Sequence, residues 1–473
     1  MSPARPYPIF PLALVALLLA ACSGSEPPAE SAEIRADAVT VEGPITGGLR
    51  GHALWDSWFD LGDLGYEEAE YFVSGQAQSA DGATTAPYTT RFLLRRPQRA
   101  EDFNGTVVLD WVNVTAQFEN PVVLLNAQQH LLREGYAFAH VSVQEAGLCC
   151  LPLLTPKTWD PVRYAPLDHP GDEYAFTMLN QIAGAIRGDG GENDPMAGQP
   201  VEKLLVAGQS QSANQLFDFA SGDHVDGEVI DGLLIQSPIG RVFEAPPPVP
   251  VLQLLSDYEA QPEAADFRDN LVLWEVAGSA HQDFHVGYQQ VFGQALRAEA
   301  SLPKRPAQAY FRLLETAGNY GERPHPLHAA CILAGAAFPM RYAVNAALHH
   351  LDGWVRGGAR PPEAPRYTFD ADGALARDRF GNAQGGIRLP PVEVPVARYR
   401  STDCGLGGTT VPFSRQRLNQ EYASHAEYFC ALQAAAALSV ADGFLLPADT
   451  EDLMGRARAM RSRFAVEGTI DCD

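Results

Sequence analysis

Basic residues are scarce in this chain. Its 473 residues hold 34 Lys and Arg against 58 Asp and Glu, a formal net charge of -24. Phosphate neutralisation needs clustered Lys and Arg, so a nucleic-acid partner is excluded. Acidity of this size reads as a soluble, self-repelling surface. No C-x-x-C occurs, which argues against a thiolate zinc site. No H-E-x-x-H occurs either. His281 and His285 have i,i+4 spacing but lack that frame and a third ligand, so no metal and no cofactor is expected. Internal repeats are absent. No apolar run is long enough to span a bilayer as a mature helix. What is present favours a packed core over disorder, with 46% hydrophobic and 19% charged residues.

The N-terminus reads as a targeting segment. Arg5 supplies a thin positive region, and Ile9 to Ala21 is a short apolar run of signal-peptide type. Leu19-Ala20-Ala21-Cys22 resembles the lipobox of bacterial lipoproteins, in which the cysteine is acylated and becomes the first residue. That likeness implies a signal peptide over 1–21 and a membrane anchor on Cys22. Ser23, rather than Asp, follows it, which implies the outer membrane of the cell envelope. Residues 22–39, rich in Ser, Glu, Ala and Pro, read as a flexible tether. Export would put the other six cysteines (Cys149, Cys150, Cys331, Cys404, Cys430 and Cys472) in a disulfide-permissive compartment, with 15 possible pairings.

Downstream, strand-like and helix-like stretches alternate. Strands are expected at Tyr71 to Gln76, Thr89 to Leu94, Gly105 to Val112, Tyr136 to Val143, Lys203 to Ala207, Leu233 to Gln236, Val251 to Leu255 and Val272 to Ala277. Helices are expected at Pro121 to Arg133, Asp172 to Arg187 and Gln211 to Ala220. Buried runs separated by crossovers predict an α/β protein, a mostly parallel sheet with helices on both faces. An insertion at about 146–171 and a largely helical extension over 299–473 fall outside the alternation. In the extension, Met340, Val344, Ala347, Leu351 and Trp354 recur at helical spacing and read as core packing.

One turn carries a chemical signal. Gly208-Gln209-Ser210-Gln211-Ser212 lies between a strand and a helix and approximates G-x-S-x-G, with Ser212 in place of the last glycine. Such a turn presents a serine hydroxyl outside the carboxyl end of a parallel strand, where ligands bind. A nucleophilic serine needs a base, and the base needs an orienting acid. Asp257 and Glu259 end one later strand and His281 ends the next, so the order is Ser, acid, His. Glu259 is the favoured acid, because one more turn residue separates it from its strand, and Asp257 is the alternative. The Gln211 amide, opening the helix, and the amides near Asn113 and Val114 are the candidate oxyanion donors.

With these residues in place, the chain resembles the bacterial "alpha/beta hydrolase domain" proteins, a group of esterase-like hydrolases. The likeness is carried by "FNGTVVLDWVNVTAQFE", "WDPVRYAPLDHPGDEYAFTMLNQ", "VAGQSQSANQL", "LWEVAGSAHQD", "GWVRGGARPPEAPR" and "DRFGNAQGGIRLPPVEVPVARY", in order over most of the chain after residue 40. It implies an α/β-hydrolase core over 40–298, with the C-terminal extension packed on or over the sheet. It also implies Ser210 as nucleophile, His281 as base, and an acid in the Ser256 to Glu259 turn. There the family has Glu and Asp two apart, whereas this chain has Asp257 and Glu259. The expected activity is carboxylic ester hydrolysis on a small-molecule ester. Acyl transfer by the same triad and a catalytically inactive envelope binding lipoprotein are the alternatives. The insertion, with Trp159, Tyr164, Asp168 and His169, is a candidate cap.

Overall fold

The computed structural model describes residues 39–148, 154–188, 193–262, 269–300, 302–317 and 335–472. The signal segment, Cys22, most of the tether, Cys149, Cys150, Cys331, and residues 149–153 of the insertion lie outside them.

One sheet of nine strands organises the molecule. Its antiparallel edge is β1 (Thr40–Glu42), β2 (Tyr66–Gln78) and β3 (Thr85–Pro97). The rest is β4 (Thr106–Trp111), β5 (Ala137–Val141), β6 (Lys203–Gln209), β7 (Gly232–Gln236), β8 (Val251–Ser256) and β9 (Leu271–Val276). The order is β1-β2-β3-β5-β4-β6-β7-β8-β9, and every pairing from β5 to β9 is parallel.

β2 and β3 are each 13 residues long, well beyond the apolar runs that announce them. At the end where β2 begins and β3 finishes, the reason is charge. Glu67 and Glu68 stand opposite Arg96 and Arg95 across the ladder, with ion pairs at 2.6 Å and 2.8 Å. Opposite charges directly across an antiparallel pair stabilise strand residues that hydrophobicity alone would not mark.

Strand alternation sends successive side chains to opposite faces. Leu205 and Ala207 of β6 join one core with the helices Val122–Arg133 and Met340–Val355. Leu204 and Val206 join a second core with the helices Ala175–Arg187 and Gln211–Ser221. A helix from beyond residue 299 therefore covers one face of the central sheet. Its stripe Met340, Val344, Ala347 and Leu351 is buried, and Trp354 packs against the same core.

The C-terminal region also closes the far edge. Ile387 takes a place beside β9, with Ile387 N–H donating to Glu275 O at 2.6 Å and Ala277 N–H to Ile387 O at 3.0 Å. A small antiparallel pair follows, β10 (Ala397–Arg400) and β11 (Thr409–Pro412). Cys430 and Cys472 are joined by a disulfide, and Cys404 is disulfide-bonded too.

The described part of the insertion docks on the antiparallel side. Trp159 Nε1 donates to Ala298 O at 2.9 Å, and the Tyr164 hydroxyl to Glu70 at 3.0 Å. Beneath it Arg91, fully buried, is ion-paired to both Glu70 and Glu119. A buried guanidinium is tolerable only with such partners. Among the described residues no helix is long and apolar enough to cross a membrane.

Candidate active site

Ser210 sits at the carboxyl end of β6 with φ 62° and ψ -118°. Few L-residues occupy that region, and the strain is of order 1–3 kcal/mol. The surrounding atoms hold it there. Ser210 N–H donates to Gln236 O on β7 at 2.9 Å, and Asn214 N–H to Ser210 O at 2.9 Å. Gly208 is required because a Cβ there would lie 2.9 Å from Leu216 Cδ1 and 3.1 Å from the Ser212 backbone.

Ser212 does more than stay small. Its hydroxyl accepts from Gln209 N–H at 3.0 Å and donates to Gln209 O at 2.9 Å. A glycine at that position could make neither bond, so the departure from G-x-S-x-G adds a clasp across the turn.

The acid and the imidazole lie at the ends of β8 and β9. His281 Nδ1 is 2.5 Å from Glu259 Oε1, with both side chains buried. The other Glu259 oxygen accepts from Ser256 N–H at 2.9 Å and from the Ser256 hydroxyl at 2.6 Å. Ser256 and Glu259 together form a capping box on the short turn Asp257–Glu259. The Tyr258 ring stands edge-on to the His281 ring, centroids 5.6 Å apart.

Asp257 takes a different part. Its carboxylate accepts from Gly278 N–H at 2.9 Å, Tyr367 OH at 3.1 Å, Arg377 Nη1 at 2.8 Å and Ser401 Oγ at 2.8 Å. Burial pushes its pKa above the ordinary value, against the opposing pull of Arg377, Ser401 and the Gly278 amide. So the carboxylate facing His281 is Glu259, and Asp257 braces the loop before the histidine against the C-terminal region.

The candidate oxyanion residues separate as well. Asn113 N–H is engaged by Asn120 O at 3.0 Å, and the Asn113 side chain donates to Gln209 O at 3.0 Å. Val114 N–H points to the Gln211 side-chain oxygen at 3.3 Å. Gln211 N–H opens a helix, where its own helix offers no acceptor. The Val114 amide thus meets the side chain of the residue after Ser210, while the Asn113 amide is taken up by its own loop. That loop is anchored by Glu119, which is bonded to Arg91 and to the Ser142 hydroxyl.

Sequence reading missed two residues here. Gln209 Nε2 donates to His281 O at 2.9 Å, joining the serine turn to the histidine loop. Ser256 was open to view, since S-x-x-E just after an apolar strand is a capping-box signature. Elsewhere, burial, with the charges of Arg341 and Arg456, holds the pKa of His285 well below the usual imidazole range. Among the described residues no three His, Cys, Asp or Glu side chains are grouped as metal ligands would be.

The model of the family described as "Alpha/beta hydrolase domain" matches residues 41–455. No curated protein matches the chain. Among solved structures, the esterase Pf2001 of Pyrococcus furiosus is 11% identical over 54% of this chain and 95% of its own, with a TM-score of 0.28. XC6422 of Xanthomonas campestris, described as an a/b serine hydrolase without lid, is 15% identical over 49% of this chain and 96% of its own, with a TM-score of 0.27. The esterase Est22 is 12% identical over 42% of this chain and 67% of its own, with a TM-score of 0.26.

Proposed function

Because the chain belongs to the alpha/beta hydrolase domain family, we propose that it hydrolyses carboxylic esters of small molecules through an acyl-enzyme on Ser210. The observation that carries this reading is the His281–Glu259 pair tied, through Gln209, to the strained turn that bears Ser210.

The chemistry follows from which atoms are engaged. Glu259 accepts from His281 Nδ1–H, which leaves the Nε2 lone pair as the base. As Ser210 Oγ bonds to the ester carbonyl carbon, its proton passes to Nε2. Glu259 stabilises the imidazolium. The negative oxygen of the tetrahedral intermediate is received by the Gln211 and Val114 amides, after the Gln211 side chain swings off Val114. Collapse breaks the bond to the alkoxy group, which leaves as alcohol with the proton from Nε2. Water then repeats the sequence on the acyl-serine, releasing the acid and free Ser210.

We assign the mature chain to the cell envelope, anchored by lipid on Cys22. The Cys430–Cys472 disulfide supports an oxidising compartment. Growth of a bacterial expression host with labelled palmitate should mark the wild-type chain and not Cys22→Ala; equal labelling would sink the anchor.

The central test pairs the chain lacking its first 22 residues with Ser210→Ala, on p-nitrophenyl esters of increasing acyl length. Loss of a triad nucleophile lowers kcat by about 10⁶-fold, and a fluorophosphonate probe should label only the wild type. Equal activity in both proteins would remove Ser210 from the mechanism.

A further inference from the structure

A concave site adjoins the acid turn at Asp257, which accepts from two of its lining residues, Arg377 and Ser401. It is a cavity of about 170 Å³ lined by Arg377, Gly381, Arg398, Arg400, Ser401 and Asp403, among others. Three arginines line it, against Asp403 in the lining and Asp257, which binds Arg377 and Ser401 from behind. In a chain of net charge -24 such a local excess of positive charge is conspicuous.

The arginines are placed by the fold. Arg398 and Arg400 stand two apart on β10, so they share its exposed face, while Ala397 and Tyr399 enter the core. Arg377 reaches in from the loop before β10. Asn382 fastens that loop, accepting from Tyr399 N–H at 2.8 Å and donating to Ala397 O at 3.3 Å. Gly381, at φ +85°, leaves room for Arg398, whose Nε would lie 2.6 Å from a Cβ at that position.

Their donors are only partly used. Arg377 gives Nη1 to Asp257 at 2.8 Å, and Arg400 gives Nε to Asp403 at 2.8 Å. Arg398 has no ion pair among the described residues. A guanidinium carries five N–H donors in a planar fork matched to oxyanions. Forks from three residues suit a group with three or more terminal oxygens better than a planar carboxylate. The volume is below the about 300–1,000 Å³ typical of drug-sized ligand sites, which fits a single small group.

We propose that this cavity binds a phosphate group, either as inorganic phosphate or as the end of a small phosphomonoester. The site is independent of the ester chemistry at Ser210. It reaches that chemistry through Asp257, which shares Arg377 and Ser401 with the cavity and holds the Gly278 amide before His281.

The test is calorimetric titration of the full mature chain with inorganic phosphate, glycerol phosphate and acetate. Saturable phosphate binding is expected, weakened at least tenfold in Arg398→Ala and in Arg400→Ala. Both side chains are exposed on β10, so folding, followed by Tm, should be unaffected. Tighter binding of glycerol phosphate than of inorganic phosphate would identify an end group, and the reverse a free ion. Absence of saturable binding, binding unchanged in both variants, or acetate binding as tight as phosphate would overturn the proposal.

Discussion

The serine turn and the acid–histidine pair are built in different ways. Ser210 is held chiefly by near neighbours, with the Asn113 side chain bonded to Gln209 O from outside the turn. Gly208 makes room, Ser212 clasps Gln209, and Asn214 starts the helix, with one bond to the next strand through Gln236. The loops bearing Glu259 and His281 depend on distant chain. Tyr367, Arg377 and Ser401 all converge on Asp257, 110 to 144 residues away in sequence. Asp283, just after His281, accepts from Met340 N–H at 3.3 Å, at the start of the helix that covers the sheet. One half of the site is a local device and the other is assembled only when the C-terminal region docks. The extension is therefore part of the scaffold of the candidate active site.

The sharpest way to break this contrast is to neutralise the two carboxylates of one turn separately. Glu259→Gln can keep the capping box, because Gln serves at that position as Glu does. It cannot hold the imidazole in the required tautomer, and such a change lowers kcat by about 10⁴-fold. Activity should fall by that order with Tm little moved. Asp257→Asn should do the reverse. It leaves Arg377 facing a neutral partner in a buried network, which costs about 1–3 kcal/mol, read as a drop in urea midpoint. Its activity should fall far less than that of Glu259→Gln. If the two variants show the same ratio of activity loss to stability loss, the division of labour is wrong.

Asp283 tests the remote half through pH. Burial raises its pKa from 3.8 to about 6, despite the Val286 and Met340 amides and Arg341. In the folded chain it therefore binds its proton more tightly than in the unfolded one. Between those two values the native state holds more protons, so this group's contribution to stability is present below about pH 4 and is lost as pH rises through about 6. At about 1.4 kcal/mol per unit the swing is up to about 3 kcal/mol. Asp283→Asn keeps a capping oxygen for Val286 and cannot ionise. Urea unfolding at pH 4.5 and 7 should show the variant gaining on the wild type by that order as pH rises. Parallel behaviour of the two proteins would remove Asp283 from the linkage.

The same contrast explains what could be read in advance. The strands β4 to β9 and the helices between them were legible because each is a short apolar run or a 3.6-residue period bounded by turn residues. The strand-to-helix turn at Ser210 was legible because its constraints are local. The acid was left open between Asp257 and Glu259, because adjacent carboxylates on one turn look alike until their partners are known. Those partners, Arg377 and Ser401, follow the turn by more than a hundred residues and carry no periodic signal. The Arg91 cluster was invisible for a similar reason. A charged residue in a strand reads as surface until Glu70 and Glu119 are brought to it by the fold. The charged end of the β2–β3 ladder was missed because charge pairing across a ladder leaves no mark on hydropathy.

Gln209 is where the two halves meet, and it gives the smallest but most specific prediction. Its carboxamide crosses from the serine turn to the His281 carbonyl at 2.9 Å. It touches no reacting atom, so its action would be positioning. A single neutral hydrogen bond is worth about 0.5–1.5 kcal/mol, and 1.4 kcal/mol is about tenfold in rate. Gln209→Ala should therefore lower kcat up to about tenfold with KM unchanged, and slow fluorophosphonate labelling equally. Gln209→Met has similar length but no donor, so it separates the bond from the packing. If Met restores full kcat, the side chain only fills space and the halves are aligned by the sheet alone. If Met behaves as Ala does, the remote scaffold reaches the nucleophile through this bond.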